Sequence, residues 1–165
     1  MSKTFLLVED ELNDAVLISR AINEAAPLVR VHIEKNGVNA ALYIKGEAKF
    51  ADRSKFPIPD LILLDLNMPL FDGFEFLEWL RSEPSPVCRI PVVVITGRDG
   101  QEGLTRAYNL GANAVITKPT NWTEYKQRIE TLARYWSAQN VSPDVESNKP
   151  QSVRQNSAPA ATTES

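Results

Sequence analysis

The sequence has a single cysteine, Cys88, so no disulfide can close within the chain. It has no apolar run near the roughly 18 to 20 residues of a membrane span, and its opening MSKTFLLVEDE meets acids too soon for a signal peptide. A basic excess is missing too: 18 Lys and Arg stand against 21 Asp and Glu, a formal charge of -3, which removes the generic attraction to nucleic acid or anionic membrane. From Ala138 to Ser165 there is no Leu, Ile, Phe, Tyr or Trp. Such a stretch cannot bury enough apolar surface to offset the entropy of ordering it, so residues 138–165 are expected to be a disordered polar tail and residues 1–137 the folded domain. What is present, 43% hydrophobic residues in 165, suffices for one soluble domain with a core, and a cytoplasmic location is expected.

Within the first 137 residues, short Val/Ile/Leu runs alternate with segments of helical period. The strands are predicted at 4–8, 29–33, 61–64, 92–95 and 114–116, and the helices at 11–25, 38–45, 73–81, 101–110 and 123–137. The third and fourth strands are apolar throughout, as strands covered on both faces must be. Strict alternation of five strands with five helices predicts an α/β fold, a doubly wound parallel sheet of order 2-1-3-4-5. Pro27, Gly46, Pro84 and Gly111 stand where helices should stop. The stretch EAKFADRSKFPIP is longer than a usual connection and is expected to be a surface excursion.

Open parallel sheets bind ligands beyond the carboxyl ends of their strands. Those ends carry Glu9 and Asp10, Asp65, Thr96 and Lys118. Singly, each has an ordinary structural explanation as a helix-dipole partner, a cap or a solvated lysine. Together, three carboxylates crowded at one edge repel one another and call for a hard divalent cation with oxygen ligands, Mg²⁺ by preference.

These residues occur as VED, LLDLNMPLFDG, VITG and ITKP, and with them the chain resembles the receiver domain of two-component response regulators over residues 3 to about 137. The long connection before the third strand and the helix ending in RYW resemble, more narrowly, the small standalone receivers that serve phytochrome-type histidine kinases. The resemblance implies a flavodoxin-like (βα)5 fold and a phosphoacceptor at Asp65, charged by a sensor histidine kinase. It implies that Asp10 and Asp65 bind Mg²⁺ with Glu9 completing the acidic pair, that Asn67 adds its backbone carbonyl, and that Thr96 and Lys118 receive the phosphoryl oxygens. By the same resemblance, the Lys118-Pro119 bond is expected to be cis. Pro69 and Asp72-Gly73 are expected to shape the following loop and start the third helix. Arg98 and Asn67 would tune phosphate lifetime.

The pattern departs from the family at Val115, where receivers commonly carry an inward-swinging Tyr or Phe. Two alternatives compete with the response-regulator reading. A haloacid-dehalogenase-type phosphatase also uses a nucleophilic Asp with Mg²⁺, but carries a second Asp where this chain has Asn67. A receiver used only for docking would leave phosphorylation idle, and Val115 is its support. The last predicted helix bears an apolar stripe of Trp122, Tyr125, Ile129, Leu132 and Trp136, which either packs on the sheet or, with Tyr135 beside it, joins a homodimer contact. His32 lacks a partner ligand and is expected to be a strand residue. After the last helix no DNA-binding motif is recognisable, so no direct contact with nucleic acid and no membrane partner is expected.

Overall fold

Five strands, β1 (Thr4–Val8), β2 (Arg30–Glu34), β3 (Leu61–Asp65), β4 (Val92–Thr96) and β5 (Ala114–Thr117), run parallel in the computed structural model in the order β2-β1-β3-β4-β5. The structure describes residues 2–97 and 100–145. Between the strands lie α1 (Leu12–Ala25), α2 (Gly37–Lys45), α3 (Gly73–Ser82) and α4 (Gly100–Asn109), and after β5 comes α5 (Trp122–Arg134). The predicted fold class and order are those observed.

Side chains alternate along each strand, so the sheet builds two cores. Leu6, Val8, Ile62, Leu64, Val92 and Val94 meet α2 and α3 on one face; Phe5, Leu7, Leu61, Leu63, Val93 and Ile95 meet α1 and α5 on the other. β1, β3 and β4 are buried at every position, as their apolar runs required, whereas β5 is only half-buried and α4 buries just Ala107.

Caps fix the helix ends. Asp72 and Glu75 form a reciprocal capping box at the start of α3, with both hydrogen bonds at 2.9 Å. Gly46 ends α2 in the left-handed region at φ 69°. Gly73 has a different reason to be glycine: a Cβ there would overlap the Asp65 carbonyl oxygen and crowd the Leu66 backbone, so α3 starts in direct contact with the end of β3. Gly73→Ala is expected to lower stability by about 1–3 kcal/mol, since backbone rather than a flexible side chain must give way. A urea unfolding midpoint equal to that of the wild type would show that the contact is soft.

Two sequence expectations need correction, and a third gains detail. The stretch 47–59 is mostly exposed, as a surface excursion should be, but it is pinned to the domain: Phe50 is fully buried, the Tyr43 hydroxyl donates to the Pro57 carbonyl at 3.0 Å, and Arg53 donates to the carbonyls of Tyr43, Ile44 and Phe56. Rings of His32, Tyr43, Phe50 and Phe56 pack together there, with centroids 5.2 to 5.9 Å apart. The last α-helix stops at Arg134 rather than Ser137 and widens into a π-helical turn, Tyr135–Gln139, closed by Asn140 N–H to the Tyr135 carbonyl at 3.0 Å. The Lys3 ammonium, donating to the carbonyls of Trp136 and Asn140 at 3.1 and 2.7 Å, stabilises that turn.

Ordered packing also continues past residue 137. Residues 140–145 pass the amino ends of β3 and β4, where Val145 packs on the core beside Ile58 and Ile90. A run lacking large apolar residues is held by one valine and by Lys3. Residues 146–165, the rest of the predicted tail, lie outside the described residues.

At the same amino-terminal pole, Arg81 at the end of α3 donates to the carbonyls of Gly111, Cys88 and Ile90 and to Asn113 Oδ1, at 2.6 to 3.0 Å. Asn113 Oδ1 also accepts from Val92 N–H at 2.9 Å. One half-buried guanidinium thus joins α3, the approach to β4 and the approach to β5. Among the described residues no helix is long and apolar enough to cross a membrane.

Candidate functional site

Glu9 and Asp10 follow β1, Asp65 and Thr96 close β3 and β4, and Lys118 follows β5. The parallel ladder brings all of them to one edge. Lys118 N–H donates to the Thr96 carbonyl at 2.8 Å, which extends the β4–β5 pairing and fixes the lysine beside the threonine.

The Lys118 ammonium lies 3.1 Å from Glu9 Oε2, 3.5 Å from Asp65 Oδ2 and 3.6 Å from Asp14 Oδ2. Burial works against its charge, but Asp65, Glu9 and Asp14 outweigh that and hold its pKa above the usual lysine range. Glu9 is 1% exposed, and burial, followed by the nearby Asp65 charge, pushes its carboxyl up to about 8 against the pull of Lys118 and of Glu11 N–H. One cation is too little for this many carboxylates. Asp65 is also nearly buried, and its Oδ1 accepts from Asn67 N–H at 3.0 Å. That bond curls the loop so that residue 67 sits over the carboxylate.

An oxygen from each of Glu9, Asp10 and Asp65 lies within 4.8 Å of the others. Three hard oxygen donors of one sign, two of them on nearly buried residues, fit a small divalent cation and suit neither a soft metal nor an anion. Sequence reasoning named all three. It missed Asp14, whose side chain comes from the first turn of α1 to the same ammonium. An acid in the first turn of a helix has an ordinary electrostatic explanation, so no pattern marked it.

Thr96 is 2% exposed, and its hydroxyl is buried with no hydrogen-bond partner among the described residues. Leaving such a group unpaired costs about 1–3 kcal/mol, so the site retains an unused donor beside Asp65 and Lys118. Thr96→Val, which keeps the shape and removes the hydroxyl, is expected to raise the melting temperature of the isolated protein. A fall in melting temperature would mean that the hydroxyl already has a stabilising role.

The Lys118-Pro119 bond is not cis: the described residues contain no cis peptide. The ladder bond to Thr96 already aims Lys118 at the carboxylates, and a trans bond is favoured by about 0.5–1 kcal/mol before proline. Pro69, Asp72 and Gly73 stand as expected in the loop from β3 to α3, where Leu70 adopts a left-handed φ of 70° and is 94% exposed. Arg98 lies outside the described residues. His32 is on β2, its ring against Tyr43 and Phe56. Val115 is on β5 and packs at the margin of the α2–α3 core.

A second depression lies elsewhere. An open groove of about 860 Å³ runs along β5 between α4 and α5, lined by Leu104, Tyr108, Ile116, Leu132 and Tyr135 among others. It exists because α4 packs so lightly and β5 is an edge strand.

Comparison with known proteins agrees with this geometry. The response regulator receiver domain model matches residues 5–130. Response regulator Rcp1 of Synechocystis is 30% identical over 134 residues, 81% of this chain and 88% of that protein. The probable methanogenesis regulatory protein FilR2 of Methanothrix harundinacea is 32% identical over 138 residues, 84% of this chain and 86% of its own. Among solved structures, the phosphorylated cyanobacterial phytochrome response regulator RcpA superposes with a TM-score of 0.80 at 33% identity, covering 87% of this chain and 99% of that one. The Mn²⁺-bound form of Rcp1 gives 0.77 at 29% identity, covering 86% and 99%.

Proposed function

Because the chain belongs to the response regulator receiver domain family, we propose that it accepts a phosphoryl group on Asp65 from a sensor histidine kinase, of the phytochrome type, and signals through changed contacts of its own surface in the cytoplasm. One observation carries this reading: Asp65, the Lys118 ammonium 3.5 Å from it and the unpartnered Thr96 hydroxyl share one edge, so the nucleophile stands with a cation and an unused donor for the group it would receive.

In the transfer, an Asp65 carboxylate oxygen attacks phosphorus as the P–N bond to the kinase histidine breaks, and the electron pair of that bond leaves with the imidazole. Glu9, Asp10, Asp65 and the Asn67 backbone carbonyl would hold Mg²⁺, which supplies charge neutralisation for the phosphoryl oxygens. Asn67 N–H orients the Asp65 carboxylate, Lys118 turns its ammonium to one phosphoryl oxygen, and Thr96 donates to another. The product carries about -1.5 to -2 charges, enough to draw Lys118 from Glu9 and Asp14.

The groove along β5 reaches Thr117, which pairs with Thr96 and precedes Lys118, and the exposed Tyr135 and Tyr108 line it. It is the surface on which a second copy of the chain would register the change. A phosphatase reading lacks its general acid, because Asn67 stands at that position.

Intact mass after incubation with acetyl phosphate and Mg²⁺ tests the reading. A single phosphoryl adduct that forms only with the metal is expected, and continuous release of inorganic phosphate from p-nitrophenyl phosphate would instead favour the phosphatase. No adduct would leave docking without phosphorylation as the better account.

A further inference from the structure

One side chain of α5 reaches across the β5 groove to the strand end beside the acidic edge. Arg128 donates through Nη1 to the Thr117 carbonyl at 3.0 Å and to the Thr117 hydroxyl at 2.9 Å, and through Nη2 to Glu124 Oε1 at 2.6 Å. β5 is an edge strand, so no further strand is there to take that carbonyl, and the guanidinium takes it instead. Capping an edge would need only the carbonyl. The added bonds to the Thr117 hydroxyl and to Glu124, in the first turn of α5, fix the planar fork in one orientation and join the last residue of β5 to the helix.

Thr117 is well placed to sense the site. It is the ladder partner of Thr96 and the chain neighbour of Lys118, whose N–H donates to the Thr96 carbonyl at 2.8 Å. The two groups that would turn to a phosphoryl group on Asp65, the Thr96 hydroxyl and the Lys118 ammonium, are thus each one link from it. β5 holds no ring that could turn with the threonine, since Val115 is aliphatic and packs at the margin of the α2–α3 core. With the ladder on one side of Thr117 and Arg128 on the other, a displacement of this strand end pulls on α5.

We propose that Arg128 is a positioning residue that carries phosphorylation of Asp65 to α5: when Thr96 and Lys118 turn to the phosphoryl group, Thr117 moves with them, and the guanidinium draws α5 along and reshapes the groove. The inference rests on Asp65 being the phosphoacceptor. It gives this chain a hydrogen-bonded route from the site to α5 that needs no aromatic side chain on β5, and it places the tie in the wall of the groove itself, which Thr117, Glu124 and Arg128 all line.

Arg128→Met keeps an unbranched stem and removes the fork. The lost bonds lie at the surface, so the variant should fold, and its phosphoryl adduct from acetyl phosphate and Mg²⁺, read by intact mass, should match that of the wild type. Lys126→Met is the control: it removes the same charge from the same helix, at a residue paired with Glu24 and Glu130 rather than with β5. The response is read as the displacement of the Trp136 indole N–H resonance on phosphorylation, assigned through Trp136→Phe, because Trp136 lines the groove beyond Arg128. The displacement should persist in Lys126→Met and fall by roughly half or more in Arg128→Met, where only the chain through residues 118–121 still joins β5 to α5. An equal displacement in Arg128→Met and the wild type, with equal adducts, would overturn the role of Arg128 and leave Asp65 as phosphoacceptor intact. So would a like loss in Lys126→Met, or a wild-type resonance that stays in place although the adduct forms. A wild type that forms no adduct would overturn the phosphoacceptor reading and this inference with it.

Discussion

Asp65→Asn will take up no phosphoryl group from acetyl phosphate and Mg²⁺ under conditions that label the wild type. An amide oxygen is a poor nucleophile towards phosphorus, and the substitution also removes one of the three carboxylates grouped for a cation. The variant should nonetheless fold. Asn67 N–H can donate to the amide oxygen as it does to Asp65 Oδ1, and the Lys118 ammonium keeps Glu9 at 3.1 Å and Asp14 at 3.6 Å. Less like charge then surrounds the buried Glu9, so the melting temperature should hold or rise. Loss of the adduct in a protein that melts normally identifies the acceptor, whereas an adduct of equal yield in Asp65→Asn would place the acceptor on another residue. Lys118 distinguishes this outcome from simple unfolding, since its pairing with Glu9 survives only in the native sheet.

The second large effect is on stability as a function of pH. In chelator, Glu9 keeps its proton in the folded state up to about 8, because burial and the Asp65 charge oppose ionisation, whereas the unfolded chain loses it near 4.5. Between those values the native state binds more protons, so stability falls as pH rises, by a few kcal/mol across the window. His32 has the opposite slope below 6.5: burial, then the charge of Arg30, lowers its pKa, so acid favours the unfolded chain there. The decline from Glu9 is therefore cleanest between about 6.5 and 8. Glu34, also raised by burial, adds a smaller slope of the same sign at lower pH. Urea midpoints from pH 5 to 9 should show the decline, Glu9→Gln should flatten it, and Mg²⁺ should reverse it by favouring the ionised carboxylate. A midpoint in chelator that rises steadily to pH 8 would mean that Glu9 is already ionised in the native protein, its charge met by Lys118.

Much of this arrangement was legible because parallel sheets write their topology into alternation. Runs such as LILL and VVVI, short, bounded by prolines or polar residues and alternating with helical segments, read as strands buried on both faces, and the residues after them mark the functional edge. The strand ends were short by one residue at Asp65, Thr96 and Thr117, since a polar residue ends an apolar run in sequence while the ladder carries on. What escaped depends on direction and distance rather than on pattern. The period of α5 placed Tyr125 on a packed stripe, but could not say that its hydroxyl is buried there without a partner among the described residues. Nothing local to residues 47–60 reveals that Phe50 and Arg53 seal the end of α2, and nothing in a polar tail singles out Val145. The cis bond expected before Pro119 came from resemblance alone, and here the strand pairing of Lys118 does the aiming instead.

The Arg81 junction gives the sheet an uneven stiffness. Its hydrogen bonds clamp β4 and β5 at the entry to each strand, through Ile90, Gly111 and Asn113, while at the other end the two strands carry Thr96 and Lys118 with the lightly packed α4 alongside. β4 is held along its length between β3 and β5, so at the carboxyl edge only the outer side of β5 is left uncovered by another strand, and a pull on Lys118 would be felt first along the groove on that side.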